Sequence, residues 1–298
     1  MAQICETLRV SRSAYYQWKT ADVSARDAHE QSLAPEVRQI FHNHERRNGS
    51  RRIANELRQQ GHTCSPRKAA KVMKTQGLRA IQPKSFKPKT TDSRHRRGYS
   101  RNLLLEAPDL AVIDQLWVGD ITCIPLKGGL FCYLATLMDR YSRKIVGWSL
   151  GEDMTDALVL AALKMAIRTR SPQPGLIHHT DRGGQYVSNE YKQILLRAAM
   201  RSSMSRADNC YDNAFAESCF GTIKNELQMT EYQNYQDARR QLAEFIRYYN
   251  FERTHSSIGY ITPQPVRIEH QLKKIRTRTV RATCSTSDPT TPESKKLV

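Results

Sequence analysis

Apolar residues recur three or four positions apart through the first eighty residues, then gather from residue 116 into short, nearly continuous runs. That change of period predicts helices first and strands afterwards. Over residues 1–20, Ile4, Leu8 and Val10 lead to Ser11, a good N-cap, and Tyr15, Tyr16 and Trp18 follow. Two short helices result, either part of a helix-turn-helix or a plain aromatic-anchored hairpin. Residues 32–78 predict three more. Leu33, Val37, Ile40 and Phe41 form the inner stripe of the first, and Ile53 and Leu57 that of the second, which Gly49-Ser50 opens and Gly61 stops. Ser65 caps the third and Pro66 starts it, with Val72 and Met73 inward and Gly77 at its end.

From 116 onward strands are expected at Leu116–Leu126, Leu130–Met138 and Arg143–Leu150, with a hairpin turn at Lys127-Gly128-Gly129. Thr155 opens an Ala/Leu-rich helix to about Arg170, 175–179 is a short strand ending at Thr180-Asp181, and Ser188–Met200 is a helix. Arg201–Met204 is a strand, and helices follow over 209–227 and 233–252. Three antiparallel strands followed by alternating helices and strands predict an α/β domain with a mixed sheet over 108–271, preceded by an all-α helix-turn-helix region. The tail, 272–298, is rich in Lys, Arg, Thr and Ser and is expected to be disordered.

Charge adds a partner to this outline. The chain has 298 residues, a formal charge of +18 and a pI near 9.8, which calls for a polyanion, nucleic acid before an anionic membrane. No apolar run approaches the roughly 20 residues of a spanning helix, and no secretory signal is visible. Seven cysteines without a disulfide framework suit reduced thiols in a cytosol, so a cytoplasmic, nucleoid-associated protein is expected. His42, His44, His62 and Cys64 do not have a common zinc-finger spacing, and Cys123, Cys132, Cys210 and Cys219 read as small core residues. The basic residues Arg67, Lys68, Lys71 and Lys74 lie on the helix expected to enter a major groove, the alternative being a solvated basic face. Residues 79–107 form a basic linker, in which Arg96 and Arg97 belong to a run of eight cations against one acid, Asp92, between Arg79 and Arg101. Such a segment tracks phosphates without reading sequence.

Candidate chemistry rests on three carboxylates. Asp120 interrupts an apolar strand, where a charge is costly unless it is partnered. Asp181 ends a second strand and precedes Arg182-Gly183-Gly184, and strand ends of α/β sheets are where ligand sites sit. Glu217 lies on the helix that Asp212 or Asn213 would cap, with Phe215, Ile223 and Leu227 as its inner stripe. Lys224 follows Glu217 by two turns on the same face. Three converging carboxylates would not all stay ionised without cations, and two Mg²⁺ ions about 4 Å apart are the usual solution for in-line phosphoryl transfer. Asp139 is the best alternative ligand, whereas Asp208 and Asp212 read as turn and cap residues.

The motifs Trp117-Val-Gly-Asp120-Ile-Thr, His179-Thr-Asp181-Arg-Gly-Gly-Gln185-Tyr and Asp212-Asn-Ala-Phe-Ala-Glu217-Ser resemble the DDE integrase core of bacterial transposases. The 35 residues between Asp181 and Glu217, and Lys224 seven after the Glu, are similar to the insertion-sequence-3 family pattern. Ser142-Arg-Lys-Ile-Val-Gly-Trp148, Tyr248-Tyr-Asn250…Arg253-Thr-His255 and Thr262-Pro-Gln264 extend the resemblance to about residues 3–270. It departs at Asn48, where the family often has Tyr, and in the loose stretch before Trp117.

The resemblance implies a ribonuclease H-like core in which Asp120, Asp181 and Glu217 bind two Mg²⁺ ions, with Mn²⁺ as a substitute. It implies cleavage at the ends of an insertion sequence and strand transfer of the 3′-OH, with Lys224 near the DNA end and His179 and Gln185 supporting the site. Implied partners are double-stranded DNA (inverted-repeat ends and target), further copies of the chain on that DNA, and the product of an upstream reading frame or its fusion. A nuclease of the same fold and a non-catalytic DNA-binding regulator are the competing readings.

Overall fold

The computed structural model describes residues 2–7, 9–20, 25–81, 99–105, 110–206, 214–227 and 232–264. Arg96, Arg97, Asp208, Asp212, Asn213, most of the expected linker and the whole expected tail lie outside these. The chain divides into two compact units, Met1–Gln82 and Pro83–Val298. Among the described residues no helix is long and apolar enough to cross a membrane.

The first unit is all helical: α1 (Ala2–Thr7), α2 (Arg12–Thr20), α3 (Ala25–Ser32), α4 (Ala34–Asn43), α5 (Ser50–Gln59) and α6 (Pro66–Thr75). Ser11 caps α2 by accepting the Ala14 N–H at 3.1 Å. Ser65 does the same for α6 through the Lys68 N–H at 3.2 Å, with Pro66 in the first turn where no N–H is needed. Leu33, Val37, Ile40, Phe41, Ile53, Leu57, Val72 and Met73 form one buried cluster, as their spacing predicts. Helix α3 was not foreseen. Its sequence, ARDAHEQS, has no apolar stripe, and its acids instead pair with α6: Lys71 Nζ lies 2.6 Å from Glu30 and 3.1 Å from Asp27.

The second unit is built on a five-stranded sheet ordered β3-β2-β1-β4-β5, from β1 (Leu116–Pro125), β2 (Phe131–Asp139), β3 (Ile145–Gly151), β4 (Ile177–Thr180) and β5 (Arg201–Met204). β1–β2 and β2–β3 pair antiparallel, β1–β4 and β4–β5 parallel. The helices are α7 (Asp156–Arg170), α8 (Asn189–Arg197), α9 (Ala214–Glu226) and α10 (Tyr235–Phe251). β3 starts two residues later than its apolar pattern suggests. Asp139 accepts the Ser142 N–H at 2.7 Å and its hydroxyl at 2.6 Å, which closes a turn with Arg143 at φ 64°.

Alternation along β1 sorts the two faces. Trp117 and Ile121 point to the cluster shared with α7 and α8, whereas Leu116, Val118 and Ile124 point to the cluster shared with α9 and α10. α7 lies so close to β3 that a Cβ on Gly147 would stand 2.3 Å from the Ala162 carbonyl oxygen. α10 is fastened to β3 by Asn250, whose side chain accepts the Ile145 N–H at 2.9 Å and donates to the Ile145 carbonyl at 3.0 Å.

Candidate active site

Asp120 shares its face of β1 with Val118, and so faces α9 and α10. The β1–β4 register pairs Leu116 with Ile177 and Val118 with His179. Asp120 lies two residues beyond Val118 and Asp181 two beyond His179, just past the end of β4, and the Asp181 charge reaches Asp120. Burial, with the charges of Asp181 and then Glu217 added, holds the Asp120 carboxyl well above the usual carboxylate range, against the Ile121 N–H and Lys224, which pull it down. Its Oδ1 accepts the N–H of Ile121 at 2.8 Å. Gly119, just before it, leaves room for the His178 ring, whose Cε1 would be 2.9 Å from an added Cβ. Asp181 leaves β4 into a tight turn in which its Oδ1 accepts the Gly183 N–H at 3.0 Å.

Glu217 and Lys224 come from α9. That helix is held by Cys219, Phe220 and Ile223, all buried, with Phe215 and Leu227 packed at the margin. Glu217 itself is exposed at the rim. Lys224 is partly buried, which lowers its pKa, while Cys123 and Asp120 oppose that shift. The charges of both α9 residues therefore act on Asp120. Among the described residues no three His, Cys, Asp or Glu side chains are grouped closely enough to hold a metal ion between them. The two aspartates are adjacent, and Glu217 stands at the edge of their field.

His179 is fully buried, with Nδ1 2.8 Å from Ser203 Oγ and Nε2 3.1 Å from Ser205 Oγ. It ties β4 to β5 just ahead of Asp181. Gln185 donates to the Met154 carbonyl at 3.1 Å and so links the loop after Asp181 to the one before α7. Asp139 is buried and also accepts the Asp114 N–H at 2.6 Å, so its oxygens serve the turn. On α6, Arg67 and Lys74 are exposed, whereas Lys71 is paired with α3 and Lys68 Nζ lies 3.1 Å from His29 Nδ1.

Three neighbours of the site were not singled out from the sequence. The buried Tyr186 hydroxyl is held from ionising by burial, then by the charges of Asp181 and Asp120. Arg140 and Arg143, from the β2–β3 turn, place guanidinium carbons 4.1 and 4.5 Å from the Phe215 ring centre, two residues from Glu217. Arg143 lies inside a motif already noted. No periodicity reveals that it meets α9.

Residues 113–210 match the family model described as "Integrase core domain", residues 198–263 match a second of the same description, and residues 28–86 match an "HTH-like domain". The 31 kDa protein of insertion element IS600 from Shigella sonnei, described as uncharacterized, is 37% identical over 272 residues, 90% of this chain and 99% of that one. The transposase for insertion sequence element IS904 from Lactococcus lactis subsp. lactis is 36% identical over 78% of this chain and 92% of its own length. Transposase InsF for insertion sequence IS3A from Escherichia coli K12 is 36% identical over 88% and 91%. Among solved structures, the HTLV-2 integrase catalytic core domain (dimeric form) aligns with 51% of this chain and 94% of its own, at 18% identity and a TM-score of 0.41.

Proposed function

This chain belongs to the insertion-sequence-3 family of transposases, and from that premise we propose that Asp120, Asp181 and Glu217 form the carboxylate set with which it cuts and joins DNA. The protein is a DDE transposase, a polynucleotidyl transferase of DNA transposition and integration, with a ribonuclease H-like mixed sheet behind an all-α region. The observation that supports this choice of residues is the parallel pairing of β1 with β4, which runs the two aspartate-bearing segments alongside each other, together with the effect of the Asp181 and Glu217 charges on Asp120.

Carboxylate oxygens suit hard divalent cations, and metal binding would have to draw Glu217 in toward the two aspartates. Two adjacent carboxylates raise each other's cost of ionisation, and the Asp120 carboxyl is held high by that crowding and by burial. Asp120, Asp181 and Glu217 would hold the metal: two Mg²⁺ ions, replaceable by Mn²⁺. The metal would activate the attacking water or 3′-OH and stabilise the leaving oxygen. The rest falls to the chain's own side chains. Lys224, partly buried and within reach of the Asp120 charge, would contact a DNA phosphate brought to the site. His179 keeps β4 and β5 together and so holds Asp181 in place. Gln185 fixes the loop that follows. Arg67 and Lys74 offer exposed charge to duplex DNA from α6, and Arg96 and Arg97 of the linker sequence are further candidates for phosphate contact. Two DNA ends must be joined to a target, so the working form is a homo-oligomer on DNA, with the upstream-frame product as a further partner.

The test uses labelled inverted-repeat ends, supercoiled target and Mg²⁺, with the upstream-frame product supplied. Wild type is expected to join ends to target, and Asp181→Ala to lose joining by about a thousandfold or more while still binding ends. Cleavage without joining by wild type would mark a nuclease, and binding alone a regulator.

A further inference from the structure

The run Tyr248-Tyr249-Asn250…Arg253-Thr254-His255 takes no part in the chemistry above, yet it carries a dense set of buried contacts. Arg253 donates from Nε and Nη2 to the Glu226 carboxylate in three bonds of 2.8, 2.9 and 3.0 Å. The two side chains are only 7% and 10% exposed. Nη1 of Arg253 lies 3.0 Å from His255 Nδ1, and the His255 ring meets Tyr249 edge-on at 4.7 Å. Tyr249 shares a buried cluster with Cys219 of α9, and its hydroxyl lies 3.8 Å from Met138 Sδ of β2.

Helical geometry gives these contacts a direction. At about 100° per residue, Glu217 and Lys224 share one flank of α9 and Cys219 and Glu226 the opposite flank. Phe220, Ile223 and Leu227 lie between the flanks, in the cluster that faces the sheet. Asn250 meanwhile fastens α10 to the backbone of the edge strand β3. A bracket therefore runs from the sheet edge through α10 and the turn after it to the flank of α9 that carries Glu226. Any roll of α9 that swings Glu217 and Lys224 away from Asp120 must break the Arg253–Glu226 pair and strand two buried charges.

We propose that Arg253 is a positioning residue for strand transfer: through Glu226 it sets the rotation of α9 and so the presentation of Glu217 and Lys224 to Asp120. The proposal rests on the reading of those two residues as part of the working site. An arginine is required because the planar fork engages both carboxylate oxygens while still reaching His255, which a lysine's point charge cannot do.

Hydrogen exchange on the full-length chain, alongside joining of pre-cleaved ends, tests it. Arg253→Lys is expected to speed amide exchange in residues 219–227 about tenfold while β1, β2 and β4 keep their protection. The kcat for joining should fall about tenfold with KM for DNA ends within about twofold. Glu226→Gln, which keeps the shape and removes the charge, should show the same pattern. If Arg253→Lys does not fold, Glu226→Gln decides by the same readouts. Unchanged exchange in α9, wild-type joining by Arg253→Lys, or equal loosening of α9, α10 and the sheet would each overturn the proposal. Failure of the underlying reading is distinguishable: joining would survive Glu217→Gln and Lys224→Ala, whatever α9 exchange does.

Discussion

Asp120 occupies a strand position whose neighbours on the same face are Val118, a core residue, and the buried Thr122. Its cost is set by burial and by Asp181 alongside, so function and stability pull in opposite directions there. Asp120→Asn is expected to stabilise the protein in divalent-free buffer by on the order of 1 kcal/mol, seen as a raised urea midpoint, while abolishing joining. A lower midpoint would mean that the carboxylate is held by partners stronger than its repulsions. His178 makes the complementary case. It is buried with Nε2 2.7 Å from the Tyr191 hydroxyl, and burial takes its pKa from 6.5 down to about 3. The unfolded chain therefore takes up a proton that the folded chain refuses. Stability from this residue is complete above about pH 6.5 and is lost as pH falls toward 3. Urea midpoints measured from pH 7 to 5 should fall in wild type and fall less steeply in His178→Gln. Parallel slopes would place the acid sensitivity elsewhere.

At the level of elements, the places where periodicity failed are informative. The strands and the longer helices were legible because their apolar spacing is also their burial pattern, as with Leu33, Val37, Ile40 and Phe41 in the first unit. Helix α3 was not, because what holds it to α6 is charge pairing of Asp27 and Glu30 with Lys71, which leaves no hydrophobic period. The same pairing explains why a basic stripe on α6 could be counted in sequence but not sorted into free and engaged residues. The β3 start was misplaced because Asp139 uses its carboxylate to close the preceding turn, a role that residue spacing does not encode. Gly147 looked like one more small residue in a motif. Its place under α7 gives it a specific task, and Gly147→Ala is expected to cost about 1–3 kcal/mol as α7 is pushed off β3. Chemical denaturation checks this, and an unchanged midpoint would show that α7 shifts freely.

Across the whole molecule, the candidate site was more legible than its supports. An acid in an apolar strand, an acid at a strand end and a Glu–Lys pair two turns apart are visible because each offends or decorates a simple pattern. None of these patterns alone groups the three; the motif resemblance does, and the fold agrees with it in pairing β1 parallel to β4 and in laying α9 and α10 on one sheet face. Arg140, Arg143 and Arg253 were hidden because their partners Phe215 and Glu226 are far away in sequence, and distance along the chain says nothing of contact across it. The central claim is that Asp120, Asp181 and Glu217 serve one metal-binding centre. Fe²⁺ with ascorbate and peroxide, added to the full chain in place of Mg²⁺, cuts the backbone beside bound iron and tests this most directly. Scission is expected in three clusters, near residues 120, 181 and 217, all suppressed together by excess Mg²⁺ and by Asp120→Asn. Cuts near 120 and 181 without any near 217, or cuts that persist in Asp120→Asn, would contradict it.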